Sequence, residues 1–450
     1  MSSRCLLPPS NAHAKSQGGP VEARLLALCL LLFLSLLPLA AQTFTAGVAK
    51  VDLAPPLGIP MAGYQTRYAK GQHDPIEARV LALSDGKRRI ALVTLDLCFP
   101  FEPPAMEEIR AAVQPQVDEV IFHASHTHSG PTYMAAPEAL QAAIPRVIAA
   151  IRDASGHMAP ARIGTGWGQT YIGFNRRYVR PAGDIHMFWR NEPKLTSTFP
   201  VDPTVGVIRV DRAADSSPLA VLVHYACHPV IFGPDNLDYS ADYPYEMRLG
   251  VEQAFPRSMA FFLQGAPGDI NPYYDKTPRI EDAEAMMRAT GRQLAAEAVR
   301  VARTIQPHAV SSIRTKTVIV PSRNRWNIEK LKAVAAERYR LDPLRTARLL
   351  RDDMQLPVTT LLIDDSIALA GMPGEPFVEF QMQLRARSPV PASFLLGYTN
   401  GYFAYFPTIA AAARGGYGAS TTVNPTEVGA GEQMLNTALI SIYQLLGKLN

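Results

Sequence analysis

Short runs of β-branched and other apolar residues alternate along the chain with segments of helical periodicity. The runs are bounded by polar or turn-forming residues, which is typical of buried strands. They lie at residues 90–95, 120–122, 207–210, 221–225, 260–263, 367–370 and 394–396. Because strands and helices alternate, the pattern predicts an α/β fold in which α-helices cover mixed β-sheets.

Two segments carry the clearest helical periodicity. Apolar side chains recur at steps of three and four residues between 281 and 305, and again between 435 and 446 at the end of the chain. Each stripe predicts a helix that packs one face on the core. The basic segment 326–354 is predicted as a helical insertion whose charges face solvent. No repeat or long linker interrupts the pattern, so we expect one large catalytic unit.

The apolar run at residues 25–41 predicts an export signal. It follows three basic residues and ends in the small residues Ala40 and Ala41, as signal peptidase requires. An uncleaved membrane anchor is the alternative, since the run is just long enough to cross a bilayer. We therefore assign residues 1–41 to a signal peptide or anchor and residues 42–450 to the catalytic unit. We expect an exported protein that is periplasmic, secreted or membrane-associated.

Charge and cysteine content argue against two classes of protein. The chain has 44 Lys and Arg against 40 Asp and Glu, with a formal net charge of +4, and the basic residues are scattered among acids. A nucleic-acid-binding protein would show a basic patch or stripe. Cys98 and Cys227 are the two cysteines beyond the leader, which is too few for a disulfide scaffold. We expect two buried free thiols, with a disulfide between them as the alternative in an oxidising compartment.

Five polar clusters each follow a predicted strand. They lie at residues 125–131, 228–229, 268–272, 374–375 and 400–408. In open α/β sheets the ligand crevice lies beyond the carboxyl ends of the strands, so residues that are far apart in the sequence are expected to converge there. Four further polar residues, His73, Asp74, Asp96 and Asp242, fit structural and functional roles equally well.

Two pairs of histidines carry the strongest chemical signal. His126 and His128 are two residues apart, a spacing at which both imidazoles point the same way in extended backbone. Two histidines on one face can bind a metal, and we favour a role in metal binding or catalysis over hydrogen-bonded core histidines. His224 and His228 have the same parity if their strand continues. His228 lies nearer the crevice and is the better ligand candidate, whereas His224 lies inside the apolar strand as a core histidine.

Six motifs, in this order, resemble the catalytic domain of the neutral ceramidases. They are His-Thr-His-Ser-Gly-Pro at 126–131, Asn-Arg at 175–176, Cys-His-Pro at 227–229, Gly-Asp-Ile-Asn-Pro at 268–272, Pro-Gly-Glu at 373–375 and the segment 405–421. The likeness runs from about Gly47 to the last helix. It implies the N-terminal catalytic domain of that family, without the immunoglobulin-like C-terminal domain of full-length ceramidases.

The resemblance also implies a zinc site and a substrate pocket. By position, the zinc ligands are His126, His228, Glu375 and Tyr405. Tyr402 is the rival for the tyrosine ligand, but the family's second active-site tyrosine lies twelve residues after the first, as Tyr417 lies after Tyr405. The same comparison assigns His128, Arg176 and Tyr417 to catalysis in the pocket. Nitrogen and oxygen ligands suit Zn²⁺, which can activate a water molecule as the nucleophile.

One position departs from the family. Ceramidases carry Gly-Asp-Val-Ser-Pro where this chain has Gly-Asp-Ile-Asn-Pro, so Asn271 replaces a serine implicated in the site. Asparagine cannot act as a serine-like nucleophile. Either Asn271 orients other groups through hydrogen bonds while zinc-activated water attacks, or the substrate differs from ceramide. Asp269 beside it is a second catalytic candidate, although Asp-x-Asn-Pro is also a good turn by itself.

Together these residues predict a zinc-dependent amidohydrolase that cleaves an N-acyl amide. A ceramide-like lipid is the leading substrate, and association with a membrane surface is expected. The first alternative is a zinc esterase, a peptidase or a hydrolase of another N-acyl compound, because the site chemistry alone does not choose between carbonyl substrates. The second is a non-catalytic, membrane-associated binding protein of the same fold, which the replacement at Asn271 keeps open.

Overall fold

The computed structural model describes residues 44–188, 197–325, 353–421 and 424–450, together with the single position 329. Residues Thr43–Asn450 form one compact unit. The leader predicted at 1–41 and most of the basic segment predicted at 326–354 lie outside the described residues. Among the residues that the structure describes, no helix combines the length and the hydropathy needed to span a bilayer.

Strands and helices alternate over the described parts of the chain. The strands are β1 (Thr45–Asp52), β2 (Gly71–Gln72), β3 (Glu77–Ser84), β4 (Arg89–Leu95), β5 (Glu119–Ala124), β6 (Ala159–Gln169), β7 (Gly173–Asn175), β8 (Arg177–Val179), β9 (Ile185–Met187), β10 (Thr204–Arg212), β11 (Pro218–Tyr225), β12 (Asp238–Tyr239), β13 (Met259–Gln264), β14 (Ile270–Pro272), β15 (Ile313–Arg323), β16 (Asp353–Ile363), β17 (Ile367–Gly371), β18 (Glu375–Pro376), β19 (Ala392–Leu396) and β20 (Tyr405–Phe406). The helices are α1 (Pro103–Val113), α2 (Pro137–Gly156), α3 (Tyr243–Ala254), α4 (Ala283–Thr304), α5 (Val378–Arg387), α6 (Ile409–Arg414) and α7 (Ala430–Leu445). All seven predicted strands and both predicted amphipathic helices are confirmed.

Two mixed sheets form the centre of the unit. The larger has eight strands in the order β13-β11-β10-β6-β1-β3-β4-β5, and the smaller has four in the order β15-β16-β17-β19. The pairs β4–β5, β11–β13 and β17–β19 are parallel, and the other neighbours within these two sheets are antiparallel. A parallel pair needs a long crossover, which α1, α3 and α5 provide. The predicted α/β class with mixed sheets is therefore confirmed.

The sheets and helices stack as helix, sheet, sheet and helix layers. One apolar cluster joins the eight-stranded sheet to the four-stranded sheet. On the outer face of the larger sheet, α1 and α2 cover one half and α3 and α4 cover the other. On the outer face of the smaller sheet, α5 and α7 form the cover. Because apolar clusters lie on both sides of each sheet, both sheets are buried on both faces over most of their length.

The helix predicted at 281–305 shows how local sequence places one of these layers. Asp282 caps the N-terminus of α4 by accepting a hydrogen bond from the backbone N–H of Ala285, which satisfies one of the unpaired groups at a helix start. A Cβ atom at Gly291 would meet Tyr243 and Glu246 of α3. The bare backbone at this position therefore lets the two helices pack closely.

Three predicted core residues have the expected environment. The Nε2 atom of His224 lies 2.7 Å from the carbonyl oxygen of Leu395, as is typical of a hydrogen-bonded core histidine. Cys98 and Cys227 are both buried and are not joined by a disulfide. The interpretation of the two cysteines as buried thiols is confirmed.

Candidate metal centre

The polar clusters that follow the strands converge in the folded chain. His126 follows β5, His228 follows β11, and Glu375 begins β18 just after β17. Ligand atoms of these three residues all lie within 4.8 Å of one another. We call them the His126–His228–Glu375 cluster. It contains three of the four residues that the sequence predicts as zinc ligands.

Backbone carbonyl groups fix the orientation of both imidazoles. His126 Nδ1 lies 2.6 Å from the carbonyl oxygen of Cys98, and His228 Nδ1 lies 3.0 Å from that of Ile270. Since a carbonyl oxygen only accepts, each Nδ1 carries the proton and each Nε2 keeps its lone pair. The two Nε2 atoms lie 3.7 Å and 3.2 Å from Oε2 of Glu375. Three acceptor atoms therefore face one another.

This arrangement fits a zinc ion. Nitrogen and oxygen ligands bind tetrahedral Zn²⁺ at about 2.0–2.2 Å, so two ligand atoms lie roughly 3.3 Å apart. The observed separations of 3.2 Å and 3.7 Å are close to that value. Converging lone pairs around a buried carboxylate also need a positive charge to balance them. Carbonyl partners on the second ring nitrogen are typical of metal-binding histidines.

Burial sets the protonation state of the cluster. It lowers the pKa of His126 below the usual imidazole value and lowers the pKa of His228 to about 4. Burial alone would raise the pKa of Glu375, but the two imidazoles and the hydroxyl of Tyr402 lower it to about 2. At neutral pH the cluster thus has two neutral imidazoles and one carboxylate, which are the forms that bind a metal.

His128 lies beside the cluster, with its Nε2 atom 3.1 Å from Nε2 of His126. The extended backbone predicted for this pair is wrong, because His126 has a φ of 70°. A left-handed turn, which histidine tolerates better than most residues, brings the two imidazoles together instead. Gly63 also has a positive φ, and a Cβ atom there would collide with the His128 ring. The Nδ1 atom of His128 is buried and has no hydrogen-bond partner among the described residues.

Three tyrosines lie around Glu375. Parallel pairing of β18 with β20 places Tyr405 opposite Glu375. The hydroxyl of Tyr402 donates to Oε1 of Glu375 at 2.7 Å, and the ring of Tyr398, which the sequence did not predict, stacks on His126 with centroids 4.1 Å apart. Burial, followed by the charge of Glu375, raises the pKa of Tyr405 well above its usual value, whereas a bound dication favours a phenolate. Tyr405 and its rival Tyr402 both lie next to the carboxylate.

Arg176 is buried against two aromatic rings. Its guanidinium carbon lies 5.6 Å from the ring centroid of Tyr405 and 5.2 Å from that of Tyr417. Nη1 donates to Oδ1 of Asn271 at 3.0 Å, and Nη2 donates to the carbonyl oxygen of Gly268 at 2.7 Å. The Nε atom is also buried and has no acceptor among the described residues. Three residues predicted for the pocket, Arg176, Tyr417 and Asn271, thus form one connected group.

The two predicted catalytic residues of the Gly-Asp-Ile-Asn-Pro segment are fully buried and hold other groups in place. Asp269 accepts hydrogen bonds from Nδ2 of Asn175 at 2.7 Å and from the backbone N–H of Val378 at 2.9 Å. The segment is therefore tied to the start of α5. The amide oxygen of Asn271 accepts from Arg176. In the structure, Asp269 and Asn271 have the contacts of positioning residues.

Two charged residues that follow this segment were not predicted. Oδ2 of Asp275 accepts from Nδ2 of Asn271 at 2.7 Å, and Oδ1 accepts from Nζ of Lys276 at 2.5 Å. Burial lowers the pKa of Lys276 to about 8, although the charge of Asp275 opposes the shift. An Asp-Lys pair in a sequence is more often a solvated surface pair. The position of this pair just after the Gly-Asp-Ile-Asn-Pro segment was the one signal that could have indicated a place near the site.

The four weaker candidates have structural partners. Asp96 forms two hydrogen bonds with the guanidinium of Arg248, at 2.6 Å and 2.9 Å. Asp242 caps the N-terminus of α3. Asp74 lies 2.9 Å from Nδ1 of His73. These contacts explain the presence of the four polar residues without requiring a bound ligand.

No family model matches the sequence, but the structure of the chain is similar to solved structures of known proteins. Neutral ceramidase from Pseudomonas aeruginosa is similar with a TM-score of 0.70 at 18% sequence identity, and the match covers 90% of this chain and 75% of that one. A ceramidase complexed with C2 is similar with a TM-score of 0.72 at 17% identity, and the match covers 91% of this chain and 76% of that one. At such identities the likeness establishes the fold. This chain therefore has the fold of the neutral ceramidases, as its motifs predicted.

Proposed function

We propose that this protein is a zinc-dependent hydrolase of N-acyl amides, with ceramide-like lipids as the leading substrates. The observation that carries the proposal is the convergence of two histidine Nε2 atoms on one carboxylate, in a chain with the fold of a neutral ceramidase. The name of that neighbour supports an amide-linked lipid as the first substrate to test. The contacts of the surrounding residues support the chemistry.

Four residues would hold the ion, namely His126, His228, Glu375 and Tyr405. A bound zinc ion supplies Lewis-acid chemistry and acidifies water to near neutrality. The protein contributes orientation, since two backbone carbonyl groups hold both imidazoles in the tautomer that leaves Nε2 available. Burial excludes bulk water, so charges inside the site interact strongly.

His128 is placed to transfer protons. Burial, followed by the neighbouring imidazoles, holds the pKa of His128 well below its usual value, so the ring is neutral. Its Nε2 atom lies 3.1 Å from that of His126, at the edge of the cluster. A neutral imidazole in this position can take a proton from the attacking water and deliver it to the leaving amine. An amide needs this step more than an ester does, because an amine is a poor leaving group.

Arg176 is placed to stabilise the charge that develops on the amide oxygen. Asn271 and Gly268 fix two of its nitrogen atoms, while the buried Nε atom has no acceptor among the described residues. Donors fixed in advance stabilise an oxyanion strongly in a buried site. Tyr417 borders the same guanidinium.

The cellular setting follows from the predicted leader. An apolar segment at residues 25–41 supports an exported protein, and a lipid substrate would bring that protein to a membrane surface. The scattered charge provides no basic stripe for nucleic acid.

A panel of substrates tests this proposal. N-lauroyl sphingosine, N-lauroyl amino acids and matched lauroyl esters are incubated with the purified protein, before and after removal of zinc with a chelator. We expect hydrolysis of at least one N-acyl amide, loss of that activity on chelation and recovery with added zinc. His157→Ala is a matched control, because His157 lies on the surface with a side chain that is 80% exposed.

Three outcomes would contradict parts of the proposal. Turnover of esters alone would overturn the amidase assignment. Full activity after verified removal of the metal would overturn the zinc mechanism. Bound zinc without hydrolysis of any acyl substrate would support the non-catalytic binding protein instead.

A further inference from the structure

The chain between β1 and β2 forms a closed loop at residues 61–67, which we call the 61–67 loop. The N–H of Met61 donates to the carbonyl oxygen of Arg67 at 2.8 Å. Just outside these two residues, Pro60 and Tyr68 form an antiparallel bridge. The ends of the loop are therefore held together, while most of its middle residues lie at the surface.

Gly63 in this loop lies directly against the ring of His128. A Cβ atom built on Gly63 would lie 2.3 Å from Cγ and 2.6 Å from Nδ1 of His128, whereas non-bonded heavy atoms pack at about 3.5–4.0 Å. Gly63 also has a φ of 90°, a conformation that glycine adopts without a steric cost. No other residue fits this position without moving the ring.

Tyr64 packs against another side of the same ring. Its ring meets that of His128 edge to face, with centroids 4.9 Å apart and an interplanar angle of 68°, which is a favourable arrangement for two aromatic rings. The hydroxyl of Tyr64 donates to the carbonyl oxygen of Phe232 at 3.0 Å. This bond anchors Tyr64 to the segment that follows His228, so Tyr64 limits the movement of the His128 ring.

Arg67 holds the backbone of His128. The guanidinium is buried, and Nη2 donates to the carbonyl oxygens of His128 and, at 3.1 Å, of Ala62. Nη1 donates to the carbonyl oxygen of Asn236 at 2.6 Å. Because a guanidinium is planar and presents its donors in a fixed fork, these three carbonyl groups are held in one arrangement. Ala62 precedes Gly63, so Arg67 joins the glycine and the backbone of His128.

The exact place of the His128 ring matters for proton transfer. Its Nε2 atom lies 3.1 Å from Nε2 of His126, at the edge of the metal centre. A catalytic acid or base must lie within about 2.6–3.2 Å of its partner atom, and a displacement of about 1 Å can lower a rate about 100-fold. Relief of the 2.3 Å contact with a Cβ atom at Gly63 requires a shift of that size.

We propose that the 61–67 loop positions His128 for catalysis. Gly63 and Arg67 are its positioning residues, the first through the ring of His128 and the second through its backbone carbonyl. Both act through His128 rather than on the metal ligands. This inference rests on the proposed function for the role of His128 in proton transfer.

The substitution Gly63→Ala tests the inference on the zinc-loaded protein, with the lauroyl amide that the wild type cleaves. We expect kcat to fall about 10- to 100-fold, with KM and zinc content close to those of the wild type, because the His128 ring lies outside the metal cluster. Retention of the wild-type kcat overturns the inference. Loss of zinc also overturns it, since the loop would then hold the ligands instead.

Gly58→Ala is the matched control. Gly58 lies outside the loop and has a φ of 86°, and a Cβ atom there would have no atom within 4 Å. The control therefore introduces the same backbone strain as Gly63→Ala without the collision. It should change kcat by less than about twofold. An equal loss of kcat in both variants would attribute the effect to strain and overturn the inference.

A second measurement uses the background His128→Ala, which removes the ring that the new methyl group would meet. There Gly63→Ala should cause no further loss of the residual turnover, because the two substitutions act on the same contact. In urea unfolding, Gly63→Ala should lower the wild-type midpoint more than Gly58→Ala does, and this excess should disappear in the His128→Ala background. Full additivity of both losses overturns the inference.

Arg67→Met tests the contact with the backbone of His128. It keeps an unbranched apolar stem and removes the three hydrogen bonds, so kcat should fall at least about tenfold with zinc retained. Arg67→Lys keeps the charge but cannot span three carbonyl groups, and it should restore only a small part of the loss. Wild-type turnover in Arg67→Lys would show that the charge is sufficient and would overturn the role of Arg67.

Failure of the proposed function has a different signature. If the wild type cleaves no amide, the hydrolase proposal fails, and NMR spectra of protein labelled with ¹⁵N-histidine still report the position of the His128 ring. The signals of His128 are those that are absent from His128→Gln. They should shift in Gly63→Ala and stay in place in Gly58→Ala. Unshifted signals in Gly63→Ala would reject the positioning of His128 by the loop.

Discussion

Two buried polar groups of side chains show how differently this fold uses similar residues. In one, Asp96 at the end of β4 pairs with Arg248 through two hydrogen bonds of 2.6 Å and 2.9 Å. Both side chains are 3% exposed, and their charges cancel. In the other, the Nε2 atoms of His126 and His228 and an oxygen of Glu375 face one another as acceptors. The first pair is balanced by the protein itself, whereas the second group needs a positive charge from elsewhere.

The comparison teaches that burial alone does not distinguish a carboxylate in an ion pair from one in the candidate metal centre. Asp96 and Glu375 both follow strands, and both are almost completely buried. They differ in the partners that the rest of the chain supplies. A guanidinium completes an ion pair, but an imidazole whose proton is directed at a carbonyl offers only a lone pair.

The strongest test of this contrast removes the imidazoles. Wild-type protein should bind about one zinc per chain. His126→Ala and His228→Ala should each weaken zinc binding by more than about 100-fold. This loss is larger than the loss expected for a residue that only holds a metal ligand in place. His128→Ala should keep the metal and lose turnover, because its ring lies outside the cluster. Elemental analysis of the purified variants measures the metal, and hydrolysis measures turnover.

The reverse pattern would change the ligand assignment. If His128→Ala lost the zinc while His126→Ala kept it, the two members of the His-x-His pair would exchange roles. The surface variant His157→Ala should match the wild type in both measurements.

The balanced pair should respond in stability rather than in metal content. Arg248→Met leaves Asp96 buried without its counter-charge, which typically costs about 3–5 kcal/mol in the free energy of unfolding. Urea unfolding of the metal-free protein measures the loss. The double variant Asp96→Leu/Arg248→Met should recover most of it, since no charge is then left unpaired. A single variant as stable as the wild type would show that Asp96 does not depend on Arg248.

The smallest expected effect separates the two tyrosines beside Glu375. Tyr405→Phe should weaken zinc binding by about 10- to 100-fold if its hydroxyl is the fourth ligand. Tyr402→Phe removes one hydrogen bond to the carboxylate, worth about 1 kcal/mol, and should weaken binding less than about tenfold. Competition with a chelator of known affinity measures both variants. The opposite order would identify Tyr402 as the ligand.

Each of the seven predicted strands contains a short run of apolar residues, whereas β6 lacks such a run. β6 contains Gly164, Gly166 and Gly168, and a Cβ atom at any of them would collide with α4 or the chain just after it. The glycines of β6 therefore reflect close packing of a helix on the strand. Such a composition lacks the β-branched and aromatic residues that usually indicate a strand. β15 alternates irregularly between buried and accessible positions, because it lies at the edge of the smaller sheet.

The structure brings together three of the predicted metal ligands that motifs mark in the sequence. The positions of His126, His228 and Glu375 follow from motifs at strand ends, and the structure brings them together. Tyr398 and Lys276 were missed, and the position of Lys276 just after the Gly-Asp-Ile-Asn-Pro motif was its one local signal. The hydrogen bond of Lys276 to the adjacent Asp275 is local, but the bond from Arg176 to Asn271 joins residues 95 positions apart, and such long-range contacts leave no pattern in neighbouring residues.

The candidate ligands come from distant parts of the chain, and more than half of the sequence lies between His126 and Glu375. β5 belongs to the eight-stranded sheet, whereas Glu375 follows β17 of the four-stranded sheet. We expect contacts between such distant segments to form late in folding, because closing a long loop costs entropy before any contact rewards it. A chain in which only one of the two sheets has formed does not bring the candidate ligands together. The candidate metal centre would then be complete only when both sheets have docked.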